Sequence, residues 1–121
     1  MEYHLDVTKH ENYLRIEFRG DLTAENQKQV IEDIYLALFN GGEKNALVDR
    51  RAGPLQETPL ANYNEADFIS DLPYIYRFRI AVLVRAEEIG HASFLEAVAV
   101  NRGVNWKFFD SEEDAIDWLS M

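Results

Sequence analysis

An unbroken apolar run, Ile80–Val84, constrains the fold of this chain more than any other segment. A strand with one face in water alternates apolar and polar side chains, whereas a strand covered by helices on both faces does not need to. Strands of the second kind are usually parallel, because the connections between parallel strands place helices on the faces of the sheet. The run therefore predicts an α/β fold with a buried parallel strand.

Hydrophobic periodicity divides the rest of the chain into strands and helices. Alternation predicts strands, and apolar residues three or four positions apart predict helices. The apolar positions of the predicted elements are, in chain order, Tyr3, Leu5 and Val7; Leu14, Ile16 and Phe18; Val30, Ile31, Ile34, Ala37 and Leu38; Ala46, Leu47 and Val48; Leu60, Tyr63, Ala66 and Ile69; Ile80–Val84; Phe94, Leu95, Val98 and Ala99; Val104, Trp106 and Phe108; Ala115, Trp118 and Leu119.

The resulting order, β-β-α-β-α-β-α-β-α, predicts a mixed, mostly parallel sheet of five strands with four helices. The first two strands are close enough to form an antiparallel hairpin, and each later strand follows a helix that can cross back over the sheet. The second helix is predicted to begin at Thr58-Pro59 and to end or kink at Pro73. Its exact extent stays open at this stage.

The acidic composition limits the classes of partner. The chain has 121 residues, with 22 Asp and Glu against 12 Lys and Arg, a net charge of -10 at pH 7. Nucleic acids and anionic membranes both bind through Lys and Arg, so neither is an expected partner. The length suits one domain over residues 1–121. The absence of Cys, of a signal peptide and of a membrane-length apolar run predicts a soluble cytoplasmic protein.

The sequence contains no pattern typical of a catalytic, metal or cofactor site. The three histidines His4, His10 and His91 stand apart, and none belongs to an H-E-x-x-H motif. There is no glycine-rich phosphate loop, and no serine lies in G-x-S-x-G. We therefore expect no enzyme activity, no metal and no cofactor.

Three arginines follow strands of the predicted sheet. Arg50 and Arg51 come at the end of the third strand, and Arg85 follows the fourth. In open α/β sheets, ligands bind outside the carboxyl ends of the parallel strands, which lie at one edge. The three arginines are therefore a candidate site for an anion. The alternative is that each pairs with a neighbouring acid at the surface.

Aromatic residues near the second helix suggest a surface for a partner. Phe68, Tyr74 and Tyr76 do not have the spacing of core residues, and they form a candidate partner surface. Other aromatic residues fit either the core or a hydrophobic pocket. Among these, Trp106 and Trp118 are both expected to be largely buried, because each falls on the inward face of its element.

Three segments carry a resemblance to a known family: Phe78–Val84, Phe94–Gly103 and Phe109–Leu119. Within the second, Val98–Gly103 looks like a signature. With the order of elements, they resemble the STAS domain, named for sulfate transporters and anti-sigma factor antagonists. The similarity is closer to a bacterial family described as SpoIIAA-like or STAS/SEC14-like. The resemblance covers nearly the whole chain. It implies the fold and no general activity.

One departure from the classical pattern concerns regulation. Classical anti-sigma antagonists carry a phosphorylated Ser shortly after the Asp of the third strand. Here Asp49 is followed by Arg50-Arg51-Ala52-Gly53-Pro54, and no Ser or Thr occurs before Thr58. A classical phosphoserine switch is therefore not expected. Thr58 is a weak candidate phosphosite, and its alternative role is a helix cap.

The sequence thus predicts a non-enzymatic, cytoplasmic STAS-like module that regulates another protein by binding it. The second helix and the loop after Asp49 are the expected contact surface. The alternative is a binder of a small anionic or lipidic ligand at the carboxyl end of the sheet. The identity of the partner or ligand, and whether the chain forms a homodimer, stay open.

Overall fold

The five strands of the protein form one sheet. A computed structural model describes residues 3–21, 23, 25–53, 65 and 67–121. The strands lie side by side in chain order, and only the first neighbouring pair is antiparallel, which confirms the predicted mixed sheet. Their bounds are β1 (Tyr3–Lys9), β2 (Leu14–Gly20), β3 (Asn45–Ala52), β4 (Arg79–Leu83) and β5 (Trp106–Phe109).

Four helical segments accompany the sheet, as predicted. They are α1 (Gln27–Asn40), α2 (described at residues 65 and 67–70), α3 (Ile89–Val100) and α4 (Glu112–Leu119). Short 3-10 turns, Ile75–Arg77 and Ala86–Glu88, precede β4 and α3. The predicted start of α2 at Thr58 lies outside the described residues. At its other end, the helical residues stop before Pro73, as expected for a helix-breaking residue.

The helices cover the two faces of the sheet unequally. Helices α1, α2 and α3 share one core with alternate residues of the strands, and α4 packs on the opposite face. Every residue from Ile80 to Val84 is at most 8% exposed, because β4 lies between β3 and β5 with helices on both faces of the sheet. The interpretation of the apolar run as a strand covered on both faces is therefore confirmed.

Helix α4 contacts β3, β4 and β5 and leaves the same face of β1 and β2 to polar side chains. Cross-strand pairs place Asp6 opposite Glu17, and Glu17 opposite Asp49, on this face. Charged residues of β2 therefore reach the amino end of α4.

The expectation that both tryptophans are largely buried is confirmed for Trp106, and Trp118 is the more exposed of the two. Trp106 lies in the core between α3 and the sheet. Trp118 is partly buried, because it packs at the border of the smaller core under α4. Its ring lies 4.3 Å from the Arg79 guanidinium carbon and 5.8 Å, between centroids, from the Phe109 ring.

Candidate functional site

The structure does not bring the three predicted arginines together. Arg50 and Arg51 are neighbours on β3, so their side chains point to opposite faces of the sheet. Arg50 is buried and pairs with Glu65 of α2, whereas Arg51 pairs on the α4 face. Arg85 lies beside Glu88, with Nε 3.4 Å from a carboxylate oxygen. Each of the three guanidinium groups is already paired with at least one carboxylate, and a shared anion site stays a prediction.

On the α4 face, two arginines hold one buried carboxylate, Asp49, which is 4% exposed. Arg15 Nη2 lies 2.7 Å from Asp49 Oδ2, and Arg51 donates from Nε and Nη2 at 3.0 and 2.9 Å. Both arginines also contact Glu112 in the first turn of α4, at 3.0 to 3.2 Å. These four residues, the Asp49 network, tie β2, β3 and α4 together.

The charges within the Asp49 network determine its protonation. Burial alone raises the pKa of Asp49, but hydrogen bonds from Arg51 and Arg15 outweigh burial and hold this pKa below its ordinary value. The hydrogen bond from Arg15 likewise lowers the pKa of Glu112. All four side chains are therefore charged at neutral pH, with a net charge of zero. A network of this kind is suited to holding α4 on the sheet and not to exchanging protons near pH 7.

Sequence reasoning missed this network, although its members are visible as charged residues at alternating positions. Arg15 reads as the polar face of a half-buried strand. Its contact with Asp49 depends on the parallel register of β2 and β3, in which Glu17 lies opposite Asp49. The sequence pattern does not specify that register.

A second group of residues lies before the amino end of β4, at the end of the sheet opposite the Asp49 network. Its members Tyr74 and Tyr76 are 51% and 60% exposed. The guanidinium carbon of Arg77 lies 4.7 Å from the centroid of the Tyr74 ring and 5.8 Å from that of Tyr76. Tyr74 has a left-handed backbone, with φ 61° and ψ 17°, which bulky residues rarely adopt. The three side chains form an exposed group just before the amino end of β4.

The exposed aromatic group continues onto the last turns of α1. Phe39 is 52% exposed, and its ring centroid lies 5.9 Å from that of Tyr35. The Tyr35 hydroxyl donates to the carbonyl oxygen of Pro73, which joins α1 to the segment before β4. We name Tyr35, Phe39, Tyr74, Tyr76 and Arg77 the aromatic surface.

Of the three residues predicted for a partner surface, the structure places Phe68 apart from the exposed pair. Phe68 is half-buried and packs against the main core, with the Lys28 ammonium 5.8 Å from its ring centroid. Sequence reasoning missed the α1 residues Tyr35 and Phe39. The available signal was their spacing of four positions, which places them on one side of the helix.

A cavity of about 70 Å³ lies between α1, α2 and the sheet. Its walls are mainly aliphatic, with Val30 and Leu38 from α1 and Val48 from β3, and they include one polar pair, Arg50 and Glu65. Of the aromatic residues considered for a pocket from the sequence, Trp106 is a described residue that lines it.

The described residues give no structural support for a phosphosite at Thr58, for a metal site or for a membrane-spanning helix. Thr58 lies outside the described residues. Among the residues that are described, no three His, Cys, Asp or Glu side chains are grouped so that they could hold a metal ion. In the same part of the chain, no helix has the length and apolar character to cross a bilayer.

Several solved structures match this chain, and two of them do so over nearly its whole length. An anti-sigma factor antagonist from Mycobacterium paratuberculosis matches with a TM-score of 0.64 at 12% identity, covering 99% of this chain and 96% of that one. An uncharacterized protein with a SpoIIAA-like fold from Shewanella loihica matches with a TM-score of 0.56 at 24% identity, covering 97% and 93%. No protein-family model and no curated protein matches the sequence. The STAS/SpoIIAA-like resemblance is thus confirmed for the architecture: this chain has the SpoIIAA-like fold.

Proposed function

We propose that this chain is a non-enzymatic, cytoplasmic regulatory module that binds another protein through the aromatic surface. The likeness to an anti-sigma factor antagonist supports a regulatory role. The sequence supports the absence of catalysis, because none of its His, Ser or Gly residues stands in a catalytic motif.

The observation that carries the proposal is the exposed group of Tyr74, Tyr76 and Arg77. Tyr and Arg are the residue types that most often dominate the energy of protein interfaces. Here they are already stacked, so that less side-chain freedom is lost when a partner binds. The left-handed backbone of Tyr74 costs about 1–2 kcal/mol, and strained residues of this kind cluster at functional sites.

The carboxyl end of β3 is less suited to the partner. Asp49 and Arg51 are engaged in the Asp49 network, and Arg50 is buried against Glu65. The same pairing gives little support to the alternative of an anionic or lipidic ligand held by these arginines. The sequence after Asp49 also lacks the Ser of the classical switch, so we propose that control does not use it.

The test compares capture of partner proteins by three forms of the chain. The wild type, a Y74A/Y76A double variant and an F94A control are used as bait in an extract of the native cell. Phe94 is a fair control because it is also an exposed aromatic residue, at 44%, and belongs to α3, which contributes no residue to the aromatic surface. Candidate partners are then purified and titrated against each form.

We expect a partner whose affinity falls by about thirtyfold or more in Y74A/Y76A, as for the loss of an interface hot spot. The same partner should bind F94A as tightly as it binds the wild type. Equal affinity for all three forms would show that the partner docks elsewhere.

A further inference from the structure

We propose that the partner segment that docks on the aromatic surface is acidic, and that one of its carboxylates pairs with Arg77. This inference rests on the proposed function, since it names the chemistry of the partner at the same surface. Three observations carry it: the ion pairs of the other arginines, the position of the Arg77 guanidinium over an aromatic ring, and the charge of the neighbouring loops.

Arg77 differs from most arginines of this chain in its charge partners. Six of the eight arginines form ion pairs with carboxylates of the chain itself: Arg15, Arg19, Arg50, Arg51, Arg85 and Arg102. A seventh, Arg79, donates to the main-chain oxygen of Met121 at 2.8 Å. Arg77 is exposed and forms no ion pair with a described residue. In a chain with 22 Asp and Glu, this guanidinium is available to a carboxylate from another molecule.

The Arg77 side chain is held in place before a partner arrives. Its guanidinium carbon lies 4.7 Å from the centroid of the Tyr74 ring, and its backbone N–H donates to the carbonyl oxygen of Tyr74 at 2.9 Å. Buried Ile75 anchors this short turn in the main core. An aromatic ring attracts the charge but is not a carboxylate acceptor, so the guanidinium can still donate two parallel N–H groups to one carboxylate.

A partner that covers Tyr74 and Tyr76 would also remove water from this ion pair. Ion pairs that stay exposed to water contribute little to stability, whereas close charge pairs inside an interface are more strongly coupled. Because the side chain is already ordered, less conformational freedom is lost when the pair forms. We therefore expect the contact with Arg77 to contribute to affinity as well as to the choice of partner.

The loops at the amino ends of β3 and β4 also favour a negatively charged partner. Lys44, which precedes β3, is exposed and forms no ion pair with a described residue. Its carbonyl oxygen accepts from the N–H of Arg79 at 2.8 Å, so it lies beside the first residue of β4. The segments that lead into the two strands, 41–45 and 71–79, hold three cations and two carboxylates. They are thus positively charged in a chain whose net charge is -10, and charge complementarity selects an acidic partner.

The test uses short random peptides displayed on phage as the probe. Peptides are selected on the wild-type protein after depletion on Y74A/Y76A, which removes those that bind elsewhere. We expect the selected peptides to be rich in Asp and Glu next to an apolar or aromatic residue.

A double-mutant cycle then tests the pairing with Arg77. A selected peptide, and a form in which the amide replaces its acidic residue, are titrated against the wild type, R77Q and R85Q. Arg85 is the matched control, because it is also partly exposed but already pairs with Glu88. Loss of the carboxylate should weaken binding to the wild type and to R85Q by about tenfold. The two peptides should bind R77Q with nearly equal affinity.

Selected peptides without an acidic residue would overturn the inference, as would a carboxylate that contributes equally to binding in the wild type and in R77Q. In both cases the aromatic surface would still bind peptides, and the proposed function would stand. A selection in which every peptide binds Y74A/Y76A as well as the wild type would instead contradict the binding surface itself, and this inference with it.

Discussion

The strain at Tyr74 can be measured by replacing this residue with alanine and with glycine. Its φ of 61° lies where a Cβ atom is disfavoured by roughly 1–2 kcal/mol. Both substitutions remove the stacking on Arg77, which at an exposed site contributes about 0.5–1 kcal/mol. Only glycine also removes the Cβ penalty, against which stands its larger loss of backbone entropy, about 0.5–1 kcal/mol.

The difference between the two variants therefore isolates the backbone term. We expect Y74G to be more stable than Y74A by up to about 1.5 kcal/mol. Tyr76 serves as the matched control, since it is equally exposed and has no positive φ. There the order should reverse, with Y76G less stable than Y76A by about 0.5–1 kcal/mol.

The assay is urea unfolding of the four variants, with the free energy of unfolding obtained by linear extrapolation. Equal slopes with denaturant would show that the variants unfold from similarly compact states. If Y74A is more stable than Y74G, the left-handed backbone at Tyr74 is not a source of strain. Backbone strain would then no longer be an argument that the aromatic surface binds a partner.

Other properties of the structure lead to further predictions. Because the pKa values of Asp49 and Glu112 are lowered in the folded state, their stabilisation is present above their unfolded pKa values and is lost on acidification. Urea unfolding between about pH 7 and about pH 3 should show this loss, and it should be smaller in D49N. The pKa of Tyr3 is raised to about 12 by its hydrogen bond to Asp33, so ultraviolet titration should show a late-ionising phenol that Y3F lacks. W106A should lower the free energy of unfolding by about 3–5 kcal/mol, and W118A by less, in the same urea assay.

The fold was predictable because each of its clearest sequence patterns is explained by one kind of burial. The unbroken run Ile80–Val84 requires cover on both faces of a strand, and the structure provides it with α3 on one side and α4 on the other. The alternation of apolar and polar side chains in β2 likewise predicts that Leu14, Ile16 and Phe18 are buried, as they are in the structure. The order of such elements leaves few topologies, and the observed sheet is the one expected.

The candidate site was less predictable because it depends on contacts between distant segments. Alternation alone indicates that Arg50 and Arg51 face opposite sides, but it does not identify Glu65 or Glu112 as their partners. The aromatic surface likewise joins the end of α1 to residues before β4, and Tyr35 connects them through Pro73. Pairings of this kind follow from the packed structure and not from any local pattern.

Hydroxyl-radical footprinting of the chain, alone and bound to the partner captured by the wild type, tests the proposed binding surface most directly. Tyr74, Tyr76 and Phe39 are exposed in the free protein and should be oxidised there. In the complex, all three should be protected, whereas Phe94 on α3 should be oxidised as readily as before. Unchanged oxidation of Tyr74 and Tyr76 in the complex would contradict the proposal that this protein binds its partner through the aromatic surface.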